Sequence, residues 1–151
     1  MRFKAVLTVA ALAALASAHP ASACAPVTVF FDWNSARVEE DSRAALQRLA
    51  LALAWKGPDL DFVTITAHTD SSGGARANRA IALRRAEAVR DVLAGFDAPP
   101  NRVRLSLAGP SRLRVSTPGG IRERYNRRVE VTLQLSADSQ ARQLERGEPI
   151  C

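Results

Sequence analysis

Histidine, cysteine and lysine are scarce in these 151 residues, and each shortage removes a class of chemistry. There are two histidines and two cysteines, and beyond residue 23 only His68 and Lys56 remain of the histidines and lysines. One histidine gives a metal cage or a Ser–His–Asp triad little to build on. The cysteines, Cys24 and Cys151, stand at the two ends of the chain left after residue 23, and nothing in the spacing brings either to His68. No dinucleotide fingerprint occurs, and Ser71-Ser72-Gly73-Gly74 lacks the lysine that a phosphate-binding loop requires. The expectation is a protein that is not an enzyme and carries neither cofactor nor metal. The one long apolar run, Ala5 to Ala18, is too short to span a bilayer comfortably.

That run has the anatomy of an export signal. Arg2 and Lys4 form a positive start, and Ala21-Ser22-Ala23 places small residues before Cys24. A cut after Ala18 is the alternative, with Pro20 awkwardly close behind it. Residues 1–23 hold two of the 21 cations and none of the 15 acids, so the charge of the remainder falls from +6 to +4. This modest, scattered excess of arginine is a poor footprint for nucleic acid, and export removes the encounter. Two fates are open to Cys24. In an oxidising compartment it could pair with Cys151, and so long a closed loop stabilises by roughly 4–5 kcal/mol in the chain-entropy model. Alternatively it is the lipid-modified first residue, for which Ser22 and Ala23 are suitable and Ala21 stands in place of the usual leucine.

Hydropathy patterning organises the rest into a single domain, and the whole sequence, 47% hydrophobic, has enough apolar residues to build one core. Val27 to Phe31 reads as a buried strand. Glu39, Glu40 and Asp41 load a helix start with negative charge, Leu46, Leu49, Ala50 and Leu53 give that helix its apolar stripe, and Gly57-Pro58 stops it. Phe62 to His68 alternates as a half-buried strand, and a Ser/Gly turn leads into a second helix from Asn78 to Leu93 that ends near Gly95. Past a loop with Pro99-Pro100, Arg102 to Ala108 alternates again, with Val103, Leu105 and Leu107 together. A loop rich in Arg, Pro and Gly follows, then a last strand through Val129, Val131, Leu133 and Leu135. The order βαβαββ implies an α+β two-layer sandwich, a mixed sheet with helices packed on one face. The expected divisions are an export signal over 1–23, the domain over 24–135, and a loose polar tail over 136–151.

One charge breaks the pattern. Asn78, Ile81, Ala82, Arg85, Ala86, Val89 and Leu93 share a helix face, so Arg85 lies on an otherwise apolar stripe, where an unmet guanidinium costs several kcal/mol. Asp70, in the Gly-rich turn before the helix, is an available acceptor. Either Asp70 caps the turn or helix and Arg85 bridges to it as an internal pair, or the two hold a ligand bearing both an ammonium and a carboxylate. Ser72 and Asn78 add polar groups there, and Gly73 and Gly74 allow close backbone approach. Asn126-Arg127-Arg128 precedes the last strand, where neighbours point to opposite faces, one towards the helices and the other towards solvent. Phe31-Asp32-Trp33-Asn34 ends the first strand, with its aromatics read chiefly as core.

At these residues the chain resembles the OmpA-like peptidoglycan-binding domain, over about Val27 to Leu135. The resemblance is carried by Val29-Phe30-Phe31-Asp32, by Ala67-His68-Thr69-Asp70-Ser71-Ser72-Gly73, by the helix stripe through Arg85, and by Asn126-Arg127-Arg128-Val129-Glu130-Val131. Ala67 stands where the family usually has glycine, and the loop from Gly109 to Arg114 departs in register. The resemblance implies a βαβαββ fold and a ligand in the peptide stem of peptidoglycan, chiefly meso-diaminopimelate. Asp70 would take its ammonium and Arg85 its carboxylate. Ser72, Asn78, Asn34 and Arg127 would add hydrogen bonds, and Phe31 and Asp32 would shape the rim. It further implies a module in the periplasm of a Gram-negative bacterium, joined to the outer membrane if Cys24 carries lipid. The alternative is a structural or interaction domain that keeps the fold without the ligand.

Overall fold

A computed structural model describes residues 25–56, 60–98 and 100–147. The export signal, Cys24, Cys151, the Gly57-Pro58 stop, Pro99 and the side chain of Leu53 lie outside the described residues. The elements are β1 (Val27–Phe30), α1 (Glu40–Lys56), β2 (Leu60–His68), α2 (Ala75–Ala94), β3 (Val103–Gly109), β4 (Arg128–Leu135) and α3 (Ala137–Arg146). Short 3-10 turns at Pro100–Arg102 and Arg124–Asn126 precede β3 and β4. The strands form one mixed sheet in the order β1-β4-β2-β3, antiparallel except for the β2–β3 pair. A parallel pair requires a crossover, and α2 supplies it.

Period-two alternation sets the two faces of the sheet. Val29, Val63, Ile65, Ala67, Val129 and Val131 are all buried on one face, in a core shared with Leu46 of α1 and Ala82, Ala86, Val89 and Leu93 of α2. Ala82 and Ala86 keep the helix surface thin where α2 crosses β2 and β3. Complete burial of Leu93 is worth about 1.5–3 kcal/mol. Glu40 and Asp41 occupy the first turn of α1, complementing its dipole.

Three local expectations change. β1 is an edge strand, so only Val29 of its four residues is fully buried. β3 forms the opposite edge and leaves Leu105 exposed, while Val103 and Leu107 pack against the core. The polar tail is helical from Ala137 to Arg146, because it is properly terminated. The Ser136 hydroxyl accepts from the Ser139 amide at 3.2 Å, and Gly147 closes the helix at φ 65°, the left-handed conformation that suits glycine. Capping overrides the shortage of apolar anchors, since Leu144 stays exposed and Ser139 is the helix's one buried residue.

Candidate functional site

The sheet places four chain segments at one of its ends: the turn after β1, the turn after β2, the start of α2 and the loop entering β4. Between them lies a pocket of about 350 Å³, within the range of small-ligand sites. Asp70, Arg85, Asn78, Ser72, Asn34 and Arg127 line it, together with Trp33, Thr69, Gly73 and Arg122 among others.

Arg85 is 1% exposed, the largest fully buried side chain among the described residues. Two main-chain carbonyls of the turn after β1 meet its charge: Nε donates to Ser35 at 2.8 Å and Nη2 to Asp32 at 3.0 Å. That turn can present both carbonyls because Asn34 takes a left-handed conformation at φ 51°, which asparagine tolerates well. Phe31 lies beneath the guanidinium, 5.3 Å from its ring centroid. Burial lowers the Arg85 pKa from its ordinary value to about 10, with the charge of Arg127 adding to the effect, so it remains a cation at neutral pH. Among the described residues no protein group is bonded to its Nη1, and the residue borders the pocket.

Asp70 does not pair with Arg85. Its Oδ2 accepts from Arg127 Nη1 at 3.0 Å, and its Oδ1 accepts from the Ser72 hydroxyl at 2.6 Å and the Ser72 amide at 3.2 Å. Burial pushes this carboxyl up, but Ser72 and Arg127 outweigh it and hold the group below its ordinary value, as a carboxylate. The two arginines divide the work. The one on the helix stripe reaches the turn after β1, and the one before β4 reaches the acid. Nor does Asp70 cap α2. Gly74 fills that position without a side-chain bond, and the first turn of α2 holds no acid. Asn78 Nδ2 donates to the Gly73 carbonyl at 3.5 Å, and Gly73 itself turns at φ 82°.

Asn126, Arg127 and Arg128 have three separate tasks. Asn126 clamps the preceding loop, accepting from the Arg114 and Val115 amides at 2.8 and 2.9 Å and donating to the Val115 carbonyl at 2.8 Å. Arg127 spans the pocket floor, with Nε on the Phe31 carbonyl at 3.1 Å. One of the two arginines was expected to face solvent, but both are buried: Arg128 lies on the sheet face away from the core, where Glu130 at 2.7 Å and the Arg112 carbonyl at 3.4 Å cover it. His68 ends β2 on that same face, 3.4 Å from Glu130.

Phe31 and Asp32 lie outside the pocket lining. Phe31 supports Arg85 from below, and Asp32 contributes a carbonyl. The rim is formed instead by Trp33, half exposed, with the Arg122 guanidinium stacked 3.9 Å from its ring centroid. The sequence signal for that pair was thin, a tryptophan inside a turn and one arginine among several in a loop. Ser71 holds the loop in place, its hydroxyl donating to the Pro118 carbonyl at 2.7 Å and its carbonyl accepting from the Gly120 amide at 3.0 Å.

An open mixed sheet backed by two helices, with a pocket of fixed charged groups at one end of the sheet, defines a small α+β module. The OmpA family model matches residues 30–127, and the chain belongs to that family. A peptidoglycan-associated lipoprotein of Rhizobium meliloti is 41% identical over 76 residues, covering 50% of this chain and 42% of that protein. Outer membrane porin F of Pseudomonas aeruginosa is 34% identical over 110 residues, covering 72% of this chain and 31% of the porin. The chain thus spans less than half the length of these curated relatives. Among solved structures, the peptidoglycan-associated lipoprotein of Burkholderia pseudomallei superposes with a TM-score of 0.64 at 27% identity, covering 71% of this chain and 89% of that one. The C-terminal domain of Helicobacter pylori MotB shares the fold, with a TM-score of 0.64 at 20% identity over 80% of this chain and 92% of its own.

Proposed function

We propose that this chain binds peptidoglycan without cleaving it, gripping the free zwitterionic end of meso-diaminopimelate in the peptide stem. Asp70 takes the ammonium and Arg85 Nη1 the carboxylate, with Asn78 and Asn34 at the sides. One observation carries the reading: a buried guanidinium fixed by two backbone carbonyls keeps a donor unused where it borders a pocket that also contains a buried carboxylate. Such a group is orientated before the ligand arrives, and charge-assisted bonds to it are stronger than neutral ones. Ser72 and Arg127 serve Asp70, fixing its rotamer and keeping it ionised. The names of the relatives support the ligand class, and the export signal supports action in the periplasm of a Gram-negative envelope. There the protein is anchored to the wall, and Cys24, if acylated, joins it to the outer membrane.

The competing reading is a domain that has kept the fold and lost the ligand. It draws on the Asp70–Arg127 pair, which satisfies the acid internally. Two measurements separate them. Asp70→Asn and Arg85→Lys should each abolish co-sedimentation with purified sacculi while retaining a cooperative unfolding transition. Calorimetry with meso-diaminopimelate should give saturable heat for the wild type alone. Undiminished sedimentation by both variants would overturn the proposal.

A further inference from the structure

Four charged side chains line the pocket, Asp70, Arg85, Arg122 and Arg127, and their balance exceeds what one zwitterion needs. Arg127 is matched to Asp70 at 3.0 Å, and Arg85 is the group assigned to the ligand's carboxylate. Arg122 is left over. Among the described residues its side chain meets no carboxylate, and its contact is the Trp33 ring at 3.9 Å.

Stacking of this kind orders a guanidinium without using its donors, since the N–H groups lie in the plane of the fork and the ring meets only its face. The backbone around it is pinned on both sides. The Ile121 carbonyl accepts from the Ser71 hydroxyl at 3.3 Å, and the Glu123 carboxylate accepts from the Tyr125 amide at 3.0 Å, capping the next turn. Trp33 is positioned in turn by the segment whose Asp32 and Ser35 carbonyls hold Arg85. The rim arginine and the buried arginine are therefore tied to one frame, at the mouth and the floor of a single pocket.

We infer that Arg122, stacked on Trp33, forms a second anion subsite that reads a carboxylate on the stem residue next to the diamino acid. This rests on the peptidoglycan reading of the pocket and makes it narrower: the pocket engages one ammonium and two carboxylates, one on the diamino acid and one on its neighbour, and a stem whose neighbouring carboxylate is amidated binds less well. An amide keeps the acceptor oxygen but loses the charge and the bidentate geometry that an arginine fork prefers.

The test is calorimetry on the full chain with two synthetic probes, L-Ala-γ-D-Glu-meso-diaminopimelate and the same tripeptide with its glutamyl α-carboxylate converted to the amide. The wild type should favour the carboxylate by about tenfold, the scale of one charge-assisted hydrogen bond. Arg122→Gln should bring that ratio close to one. Arg122→Lys should restore part of it, because a lysine is a point charge without the fork. Because the rim is exposed, the wild-type ratio should also shrink as salt is raised. Equal wild-type affinity for the two probes, or an unchanged ratio in Arg122→Gln, would overturn the subsite and leave the main pocket standing. Failure of the wild type to bind either probe would overturn both.

Discussion

Arg85 shows how a cation can occupy a hydrophobic stripe. Its charge is met by backbone carbonyls of the turn after β1, so fold and pocket share one residue. Replacement by methionine keeps the volume but leaves those carbonyls without a donor, and should destabilise by about 2 kcal/mol in urea unfolding. Three other groups set the response to acid. Burial raises the Asp70 and Glu130 carboxyls, but Ser72 with Arg127 and Arg128 respectively pull both below their ordinary values. His68 is lowered first by burial and then by Arg128, with Glu130 opposing and Arg112 adding to the lowering. The depressed carboxylates stabilise the fold above their unfolded pKa values, and that stability is lost as pH falls through the folded ones. The histidine's pKa is lower in the fold than in the unfolded chain, so on acidification the unfolded chain takes up the proton first and stability falls below about pH 6.5. All three therefore act in the same direction. Thermal melts should drop in two stages on acidification, with His68→Gln flattening the first and Asp70→Asn the second.

At the scale of elements, legibility followed local physics. The strands and both long helices were readable because alternation and helical stripes are imposed by burial, which acts on the residues themselves. The tail was misread because its helix owes more to its ends than to any apolar face. Ser136→Ala should remove about 1 kcal/mol of amide-exchange protection from α3. It should leave the exchange of β2 and β4 unchanged, since Ser139 is the only residue of that helix that is buried. The exchange of partners between Arg85 and Arg127 was hidden for a different reason. Spacing along α2 reports which face a residue occupies but not how far a long side chain reaches, and Arg127 lies 57 residues from the acid it meets. Trp33 and Arg122 were obscured in the same way, since loop residues carry no periodicity to betray a shared site.

The whole molecule explains why the pocket cannot exist without the fold. Its bonds join residues separated by 50, 53, 57 and 96 positions, so no single segment contains it. Turns after β1 and β2 meet at one edge of the core only because β4 inserts between those strands, carrying Arg127 to the Phe31 carbonyl on one side and Asp70 on the other. A ligand that engages this assembly binds the native state and not the unfolded chain, so binding must appear as global stability. At a free concentration one hundred times its dissociation constant, the meso-diaminopimelate tripeptide should add about 2.7 kcal/mol and raise the melting temperature of the wild type by several degrees. Leu93→Ala opens a cavity in the core remote from the pocket lining and should lower stability by about 2–5 kcal/mol while keeping that ligand-dependent rise. Arg85→Lys should lose the rise. A rise that vanished in Leu93→Ala but survived in Arg85→Lys would place the ligand elsewhere on the molecule.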